Sequence, residues 1–430
     1  MIEILKYKSS DEVCLLRNRS SKPDPDVELA VADVLKNVKD RGDAAVLEYT
    51  EKFDGVKLSD YKTKQEEIDE AYKTVGEKFI SDLKAAAENI RAFHEKQDRY
   101  GFEIKREDGA VVGQRVMPLS SVGIYIPGGT ASYPSSVLMN AIPANIAGVE
   151  RIVMMTPPGK DGKIAAPILA AAKVAKVTEI YKAGGAQAVA ALAYGTESVR
   201  AVDKIVGPGN VFVATAKKMV FGVVDIDMIA GPSEILIVAD KSASPEYIAA
   251  DMLSQAEHDK LASAMLICDD MELALKVQSE IEKQLSKLPR RDIAEISIKD
   301  NGKIIIVGDI EQGIEIANII SPEHLELCIR DPFDGLSKVK NAGSVFLGHY
   351  SPEALGDYFA GPNHTLPTSG TARFSSPLSV DEFVKRSSFI YYTKEALGKA
   401  KDPIMRLAEK EGLDAHAKSV AVRFEADQNE

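Results

Sequence analysis

The sequence predicts an α/β protein built on parallel sheets, and two long series of alternating segments are the main reason. Between Val122 and Val238, a short apolar run, a glycine-containing turn and an Ala-rich helical segment follow one another four times. That order is typical of parallel strands joined by crossover helices. A second series of helices and strands follows, from about residue 246 to residue 348. Because such sheets bind ligands where their strands end, we expect functional groups at the carboxyl ends of the strands.

Composition limits the class of protein further. At 430 residues the chain is long enough for roughly two to four domains, and 45% apolar with 27% charged residues is typical of a soluble globular protein. The net charge of -12 argues against a nucleic-acid partner, since a phosphate backbone would be repelled. Three scattered cysteines without a CxxC pair favour a reducing compartment. We find no signal peptide and no apolar run near the ~20 residues that span a bilayer, so we expect a cytoplasmic protein with no membrane partner.

The segments before the first series are mostly helical. Residues 1–25 form a short arm with a possible strand at Glu3–Tyr7, and helical periodicity runs from there to Gln97. His94 stands beside Glu95 and Lys96 on a charged helix, and we interpret it as a surface histidine. Alternating residues then predict a β-hairpin that turns at Asp108-Gly109.

The tail from Asp381 differs from the α/β series. It has a strand near Ser387–Tyr392 and two helices, over Lys394–Lys410 and from Leu413 to about Asp427. A short helical tail after a complete α/β body often packs on a neighbouring subunit. The predicted organisation begins with an arm at residues 1–25. An α/β domain follows, divided between residues 26–121 and 234–380, with a Rossmann-like domain inserted in it at residues 122–233. The tail covers residues 381–430.

The stretch from Asp251 to Lys260 has the composition of a helix. On a helix, Gln255 and His258 stand three positions apart and point from one face. An amide oxygen and an imidazole on one face suit zinc, which accepts N, O and S ligands. Taken alone, this spacing is more often a polar helix face than a metal site.

Two further segments carry candidate chemistry. SPEHLEL places Glu323 and His324 at a loop-to-strand junction, where a carboxylate and an imidazole suit proton transfer, although a surface pair has the same pattern. Asp357 and His364 lie in a long segment rich in Gly and Pro, and Asp357 could complete a ligand set with Gln255 and His258.

The remaining histidines favour the plainer interpretation. His349 is taken as structural, and a lone helical histidine such as His416 is usually a surface residue.

Three turns of the first series are glycine-rich, at residues 126–129, 183–187 and 207–210. Glycine lets a backbone approach a phosphate, and the amide groups that open the next helix attract anions. The spacing fits neither GxGxxG nor GxxxxGK[ST], so a nucleotide site and plain strand-to-helix turns both stay open.

Several long motifs in register resemble the histidinol dehydrogenase family. They run in order over nearly the whole chain and are weakest before about residue 25: AGPSEILIVAD (230–240), DMLSQAEHD (251–259), SPEHLEL (321–327), GDYFAGPNHTLPTSGTARFSSPLSV (356–380) and GLDAHAKSV (412–420). GIYIPGG and GPGN agree with the family as well.

This resemblance implies a fold, an activity and cofactors. The fold would be two incomplete Rossmann-like domains with small terminal pieces, which would explain the absent dinucleotide fingerprint. The activity would be oxidation of L-histidinol to L-histidine through the aldehyde, the last steps of histidine biosynthesis, with two NAD reduced and one zinc ion per subunit. The enzyme would be a homodimer whose tail completes the site of the other subunit.

The resemblance also implies roles for individual residues. Zinc would be held by Gln255, His258 and Asp357, with His416 coming from the other subunit. Glu323 and His324 would be the catalytic acid/base pair. The implied substrate contacts are Ser233, Gln255, His258, His324, Asp357, His364, Glu411 and His416. The implied NAD contacts are Tyr125, Gln187 and Asn210.

Three rival functions remain to be weighed. A cysteine-dependent aldehyde dehydrogenase needs a thiolate in an electropositive turn, whereas Cys268 and Cys328 lie in apolar strand-like runs and Cys14 in the arm. A zinc hydrolase could use Glu323 on metal-bound water. A non-catalytic metal or nucleotide binder would not need the Glu323-His324 pair.

Overall fold

The main body of the protein is formed by two parallel sheets. The structure, a computed structural model, describes residues 2–7, 9, 14, 16, 25–97, 99–128 and 132–425. Most of the predicted arm, Gly129 of the first glycine-rich turn and the predicted helix end near Asp427 therefore lie outside the described residues. The chain divides into unit 1, residues 1–97 and 119–383, and unit 2, residues 98–118 and 384–430.

Unit 1 contains eleven of the described strands and most of the helices. The strands are β1 (Glu3–Lys6), β4 (Ser121–Tyr125), β5 (Arg151–Thr156), β6 (Glu179–Lys182), β7 (Lys204–Val206), β8 (Asp225–Ile226), β9 (Glu234–Ala239), β10 (Ser263–Cys268), β11 (Lys303–Ile306), β12 (His324–Cys328) and β13 (Ser344–Leu347). The helices are α1 (Pro25–Arg41), α2 (Asp43–Asp54), α3 (Gln65–Thr74), α4 (Glu77–His94), α5 (Pro134–Ala147), α6 (Ala166–Val174), α7 (Gly185–Tyr194), α8 (Val211–Val220), α9 (Pro245–Ala256), α10 (Met271–Leu285), α11 (Arg291–Asn301), α12 (Ile310–Ile320), α13 (Pro332–Lys338) and α14 (Glu353–Tyr358), with 3₁₀ turns at Thr371–Arg373 and Val380–Phe383.

The two alternating series form two separate sheets, each with all its strands parallel. The first sheet has five strands in the order β6-β5-β4-β7-β8. The second has six strands in the order β1-β11-β10-β9-β12-β13, with the amino-terminal strand at one edge. The predicted α/β fold class is confirmed.

The six-stranded sheet is buried on both faces, as a parallel sheet covered by crossover helices must be. Along β9, Ile235, Ile237 and Ala239 enter one apolar cluster, whereas Leu236 and Val238 enter the cluster on the opposite face. A continuous apolar strand in the sequence therefore corresponds to a strand with helices on both sides.

The four helices of residues 25–94 pack on the helices of the five-stranded sheet. Helix α1 contacts α7 and α8, α3 contacts α6, and α4 contacts α5. The grouping of residues 26–121 with residues 234–380 in one domain stays a prediction. An amphipathic pattern in the sequence shows that a helix has an apolar face, but not which apolar surface covers that face.

Unit 2 combines a small antiparallel sheet with two helices. Strand β14 (Val384–Tyr391) pairs with β3 (Val111–Pro118), which pairs with β2 (Phe102–Lys105). The predicted hairpin turn is confirmed, with Gly109 at φ +79°. Helix α15 (Lys394–Lys410) has the predicted bounds, and α16 spans Asp414–Glu425.

No helix within the described part of the chain combines the length and apolar character needed to cross a bilayer.

Candidate active site

The predicted acid/base pair lies at the amino edge of the six-stranded sheet. Glu323 directly precedes β12 and His324 is its first residue, next to the start of β9 at Glu234. Ser233 precedes β9 and accepts a hydrogen bond through its carbonyl from the amide of Ser263, 3.0 Å away. For this pair the structure differs from the expectation that functional groups gather at the carboxyl ends of strands. In a parallel sheet, neighbouring strand starts also meet at one edge, and the loops before them carry the side chains here.

The backbone of Glu234 holds both members of the pair. Its amide donates to Oε2 of Glu323 at 2.9 Å, and its carbonyl lies 2.9 Å from Nδ1 of His324. Since a carbonyl only accepts, Nδ1 of His324 must carry the proton. The neutral ring then has an unprotonated Nε2.

The free nitrogen of His324 is placed as a proton acceptor. Nε2 is buried, has no hydrogen-bond partner among the described residues and lies 4.0 Å from Oδ1 of Asp357. Burial lowers the pKa of His324 to about 4 despite the nearby Asp357 carboxylate, so the neutral ring is favoured near pH 7. A neutral imidazole with one anchored and one free nitrogen has the geometry of a general base.

Gln255 and His258 are not on one helix in the structure. Helix α9 ends at Ala256, and the amide of His258 donates to the carbonyl of Gln255 at 3.2 Å, so His258 lies in the turn after the helix. The hydrogen-bond environment assigns the Gln255 amide so that its nitrogen lies 3.1 Å from a Glu353 carboxylate oxygen and 3.1 Å from Nδ1 of His324. Because Nδ1 donates to the Glu234 carbonyl, the bond that the Gln255 nitrogen makes is the one to Glu353. This orientation turns the amide oxygen of Gln255 away from the Glu353 carboxylate and the Glu234 carbonyl.

The turn after α9 brings His258 to two carboxylates of α14. One ligand atom each from His258, Glu353 and Asp357 lies within 4.8 Å of the others. Glu353 and Asp357 are four positions apart, so they project from one face of the helix. A zinc ion with bonds of ~2.1 Å holds its ligand atoms roughly 3.4 Å apart. Small side-chain rotations would therefore close these three groups around one ion, and the donor set fits zinc.

The electrostatics of this cluster also fit a cation. Burial raises the pKa of Glu353 well above its ordinary value, and the neighbouring carboxylates of Asp357 and Glu323 raise it further. Burial likewise raises the pKa of Glu323 well above its ordinary value, with Glu234 and Asp357 adding to the effect. Buried carboxylates that repel one another are stabilised by a bound cation.

A cavity of about 180 Å³ opens beside these groups, and His324, Asp357 and His364 are among the residues that line it. His364 is held at both ring nitrogens, since Nδ1 lies 3.0 Å from the Asp357 carbonyl and Nε2 lies 3.3 Å from Oγ of Ser136. The cavity therefore brings three of the predicted substrate contacts to one small space.

The prediction that His94 is a surface residue is wrong. Its side chain is buried at the end of α4, where Nδ1 lies 2.9 Å from the Ile90 carbonyl and Nε2 lies 3.5 Å from Asn363. Asn363 also donates to the Met139 carbonyl at 2.7 Å. His94 therefore helps to anchor the segment that leads into His364.

The predicted cofactor residues lie at the carboxyl edge of the five-stranded sheet. Tyr125 ends β4, and its hydroxyl accepts a hydrogen bond from the amide of Gly185 at 3.1 Å. Gln187, on α7, has a buried Oε1 with no hydrogen-bond partner in the described structure. Asn210 caps α8 by accepting from the amides of Phe212 and Val213. A buried acceptor that lacks a donor fits a ligand with hydroxyl groups, such as the riboses of NAD.

Two predicted residues, Glu411 and His416, lie in unit 2. Glu411 is the cap residue after α15 and His416 is on α16, and both are exposed. Their predicted roles in substrate and zinc binding stay predictions.

Residues that the sequence analysis missed are Glu353, Glu234 and Ser136. A usable signal existed only for Glu353, whose four-residue spacing from Asp357 in EALGD puts two carboxylates on one helix face. Glu234 acts through backbone groups, which the sequence does not display.

The buried cysteines lack the properties of a catalytic nucleophile. Burial raises the pKa of Cys268 to about 11 and raises that of Cys328 as well, with the Glu326 carboxylate contributing to the latter. Both thiols therefore stay protonated near neutral pH, which argues against the cysteine-dependent rival.

The comparison with protein families decides the classification. The sequence profile of a family described as histidinol dehydrogenase matches residues 17–424. The chain belongs to the histidinol dehydrogenase family. The resemblance inferred from the motifs is confirmed.

Curated proteins named histidinol dehydrogenase align with this chain over nearly their whole length. Histidinol dehydrogenase from Clostridium acetobutylicum is 55% identical over 409 residues, covering 95% of each chain. The protein of that name from Bacillus cereus is 54% identical over 421 residues, covering 98% of each chain.

Solved structures agree as well. The crystal structure of histidinol dehydrogenase from Elizabethkingia anophelis has a TM-score of 0.94 and 38% identity and covers 99% of each chain. An acetylating aldehyde dehydrogenase from Geobacillus thermoglucosidasius, at a TM-score of 0.50 and 14% identity, shares the fold alone.

Proposed function

We propose that this chain oxidises L-histidinol to L-histidine through the aldehyde, as the last steps of histidine biosynthesis, with two NAD reduced and one zinc ion per subunit. The enzyme would act as a cytoplasmic homodimer. The observation that carries the proposal is the free Nε2 of His324, which lies in a small cavity beside the group of His258, Glu353 and Asp357. Family membership supports the choice of substrate.

The zinc site would use the residues around this cavity. Gln255, His258 and Asp357 would be ligands, and His416 from a second subunit would be the fourth. Glu353 would hold the Gln255 amide through the bond at 3.1 Å, so that the amide oxygen faces the ion. The ion would supply Lewis acidity and a fixed point that orients the amine and imidazole of histidinol.

His324 would carry out the first proton transfer. Its Nδ1 proton is committed to the Glu234 carbonyl, so Nε2 accepts the hydroxyl proton of histidinol while the carbinol hydride goes to NAD. This removes two electrons and two hydrogens, one as hydride and one as a proton, and leaves the aldehyde. The remaining predicted substrate contacts, Ser233, His364 and Glu411, would hold the amine and imidazole ends.

Glu323 would serve the second half of the reaction. Its raised pKa makes it a stronger base than an exposed carboxylate, so it can take a proton from the water that adds to the aldehyde. The resulting adduct then loses its hydride to a second NAD and its remaining hydroxyl proton to His324, so that water and aldehyde together give up one hydride and two protons and become the carboxylate of histidine. Tyr125, Gln187 and Asn210 would bind each NAD in turn.

The test is the number of NADH molecules formed per L-histidinol consumed, measured before chelation, after chelation and after zinc is restored. We expect two NADH, lost on chelation and regained with zinc. One NADH with accumulated aldehyde would show that Glu323 is wrongly assigned. No NADH at all would refute the dehydrogenase assignment and favour a zinc hydrolase.

A further inference from the structure

A buried ion pair lies beneath one of the glycine-rich turns of the five-stranded sheet. Lys217, on α8, pairs with Asp227, which follows β8, and their side chains are only 2% and 1% exposed. None of the catalytic steps above uses either residue.

This pair binds both backbone polar groups of Gly207. Nζ of Lys217 donates to the Gly207 carbonyl at 2.9 Å, and the Gly207 amide donates to Oδ2 of Asp227 at 2.8 Å. The orientation of one residue's backbone is therefore fixed from two sides by charge-assisted hydrogen bonds, which are stronger than neutral ones.

Gly207 occupies a position at which a side chain would not fit. Its φ is +106°, and a Cβ there would overlap the carbonyl oxygen of Tyr125. Three residues later, Asn210 begins α8 as its cap. The turn that Lys217 and Asp227 hold therefore lies between Tyr125 and Asn210, which are two of the proposed NAD contacts.

Stability alone does not explain a buried ion pair at this position. Removing two charges from water is costly, and apolar residues of similar volume are often as stabilising as a buried pair. What apolar residues cannot do is bind the Gly207 carbonyl and amide. The particular contribution of this pair is a fixed turn geometry.

We infer that Lys217 and Asp227 are positioning residues for dinucleotide binding: they hold the turn from Gly207 to Asn210 in its NAD-binding conformation before NAD arrives. This inference rests on the proposed function, since it concerns the same NAD site. Neither side chain needs to touch NAD, because both act through the backbone of Gly207.

The first test compares two double variants of the full-length protein. Lys217→Met with Asp227→Asn removes both charges at similar volume and leaves no lone ion buried. The control, Arg151→Met with Glu179→Gln, removes the pair at 2.6 Å that joins the first residues of β5 and β6, at the opposite edge of the same sheet.

Binding of NAD is measured by calorimetry, since the chain has no Trp to report it. We expect the Lys217/Asp227 variant to bind NAD about tenfold more weakly, the effect of one well-placed hydrogen bond. Its L-histidinol affinity and the NAD affinity of the control should stay within about twofold of the parent protein. An unchanged NAD affinity in a folded Lys217/Asp227 variant would overturn the inference, even if its melting temperature fell.

The second test uses the unaltered protein and is independent of variant folding. Hydrogen exchange of the peptide that covers residues 205–213 should be slow both without and with NAD, because the Gly207 amide is already bonded to Asp227. Protection that appears only after NAD is added would refute a preformed turn. If the unaltered protein binds L-histidinol but no NAD, the proposed function itself fails, and the inference fails with it.

Discussion

Replacing Glu353 by Gln removes the carboxylate that a zinc ion bound beside it would stabilise in its charged form, and it leaves the side-chain volume almost unchanged. Glu353 is 2% exposed, accepts from the Gln255 amide at 3.1 Å and lies on the same face of α14 as Asp357. In the variant, the oxygen of the new side-chain amide could still accept the bond from Gln255, but without the charge.

The size of the effect follows from this change in bond type. A hydrogen bond to a charged group is worth about 1.5–3 kcal/mol and a neutral one about 0.5–1.5 kcal/mol. The loss of about 1.4 kcal/mol corresponds to a tenfold weaker hold on the metal. If Glu353 were itself a ligand, as its place in the group with His258 and Asp357 allows, the loss would be about a hundredfold or more.

The assay is competition for zinc between the metal-free protein and a chromophoric chelator. Glu257→Gln is the matched control, since Glu257 adjoins His258 and carries the same charge but is absent from the His258 group. We expect zinc affinity to fall about tenfold for Glu353→Gln and by less than twofold for Glu257→Gln. Equal losses in the two variants would show that only the general negative charge matters and would refute the positioning role of Glu353.

Three further predictions follow from the described geometry. His324→Gln should lower kcat for alcohol oxidation by about 10²–10⁴-fold with little change in the KM for L-histidinol, because the acceptor nitrogen is lost while the cavity keeps its size; an unchanged kcat in steady-state assays would exclude His324 as the base. Glu323→Gln should slow the aldehyde step more than the alcohol step, so that aldehyde accumulates in single-turnover experiments; equal slowing of both steps would contradict the division of labour. Burial raises the pKa of the Asp54 carboxyl from 3.8 to about 6. The folded state therefore holds the carboxyl proton more tightly than the unfolded state does, and the protein loses stability as the pH rises from about 4 to 6. Asp54→Asn should therefore raise the free energy of unfolding at pH 7 by about 1 kcal/mol. This is about a third of the value that the whole pKa shift would give, because the carboxyl is only partly buried. Denaturant unfolding at pH 4 and pH 7 should show the gain at pH 7 alone.

The sheets could be predicted from the sequence because their signal is local and repeated. Apolar runs of strand length alternate with helical segments, so each strand is close in the chain to the helix that follows it, although strands that pair in a sheet, such as β1 and β11, can be far apart in sequence. The same holds for the tail, where α15 has the predicted bounds. Each of these features depends on residues that are neighbours in sequence.

The parts that could not be predicted depend on contacts between distant residues. His94 and Asn363 are 269 positions apart, so a charged local context suggested a surface residue where the structure has a buried one. The end of α9 at Ala256 depends on how the following turn packs, not on the Gln255 to His258 spacing. Glu353 has a local signal, but its importance appears only when His258 arrives from another element.

Strand β1 has a practical consequence for handling the protein. It pairs with β11 along its whole length, and Ile2 beside it is 2% exposed. A shortened version that begins at Pro25 would leave the outward amide and carbonyl groups of Lys303–Ile306 uncovered. An uncovered apolar strand of this kind is a template for the same strand in another molecule. Trimming the amino terminus to aid crystallisation would therefore produce material that self-associates and precipitates on concentration.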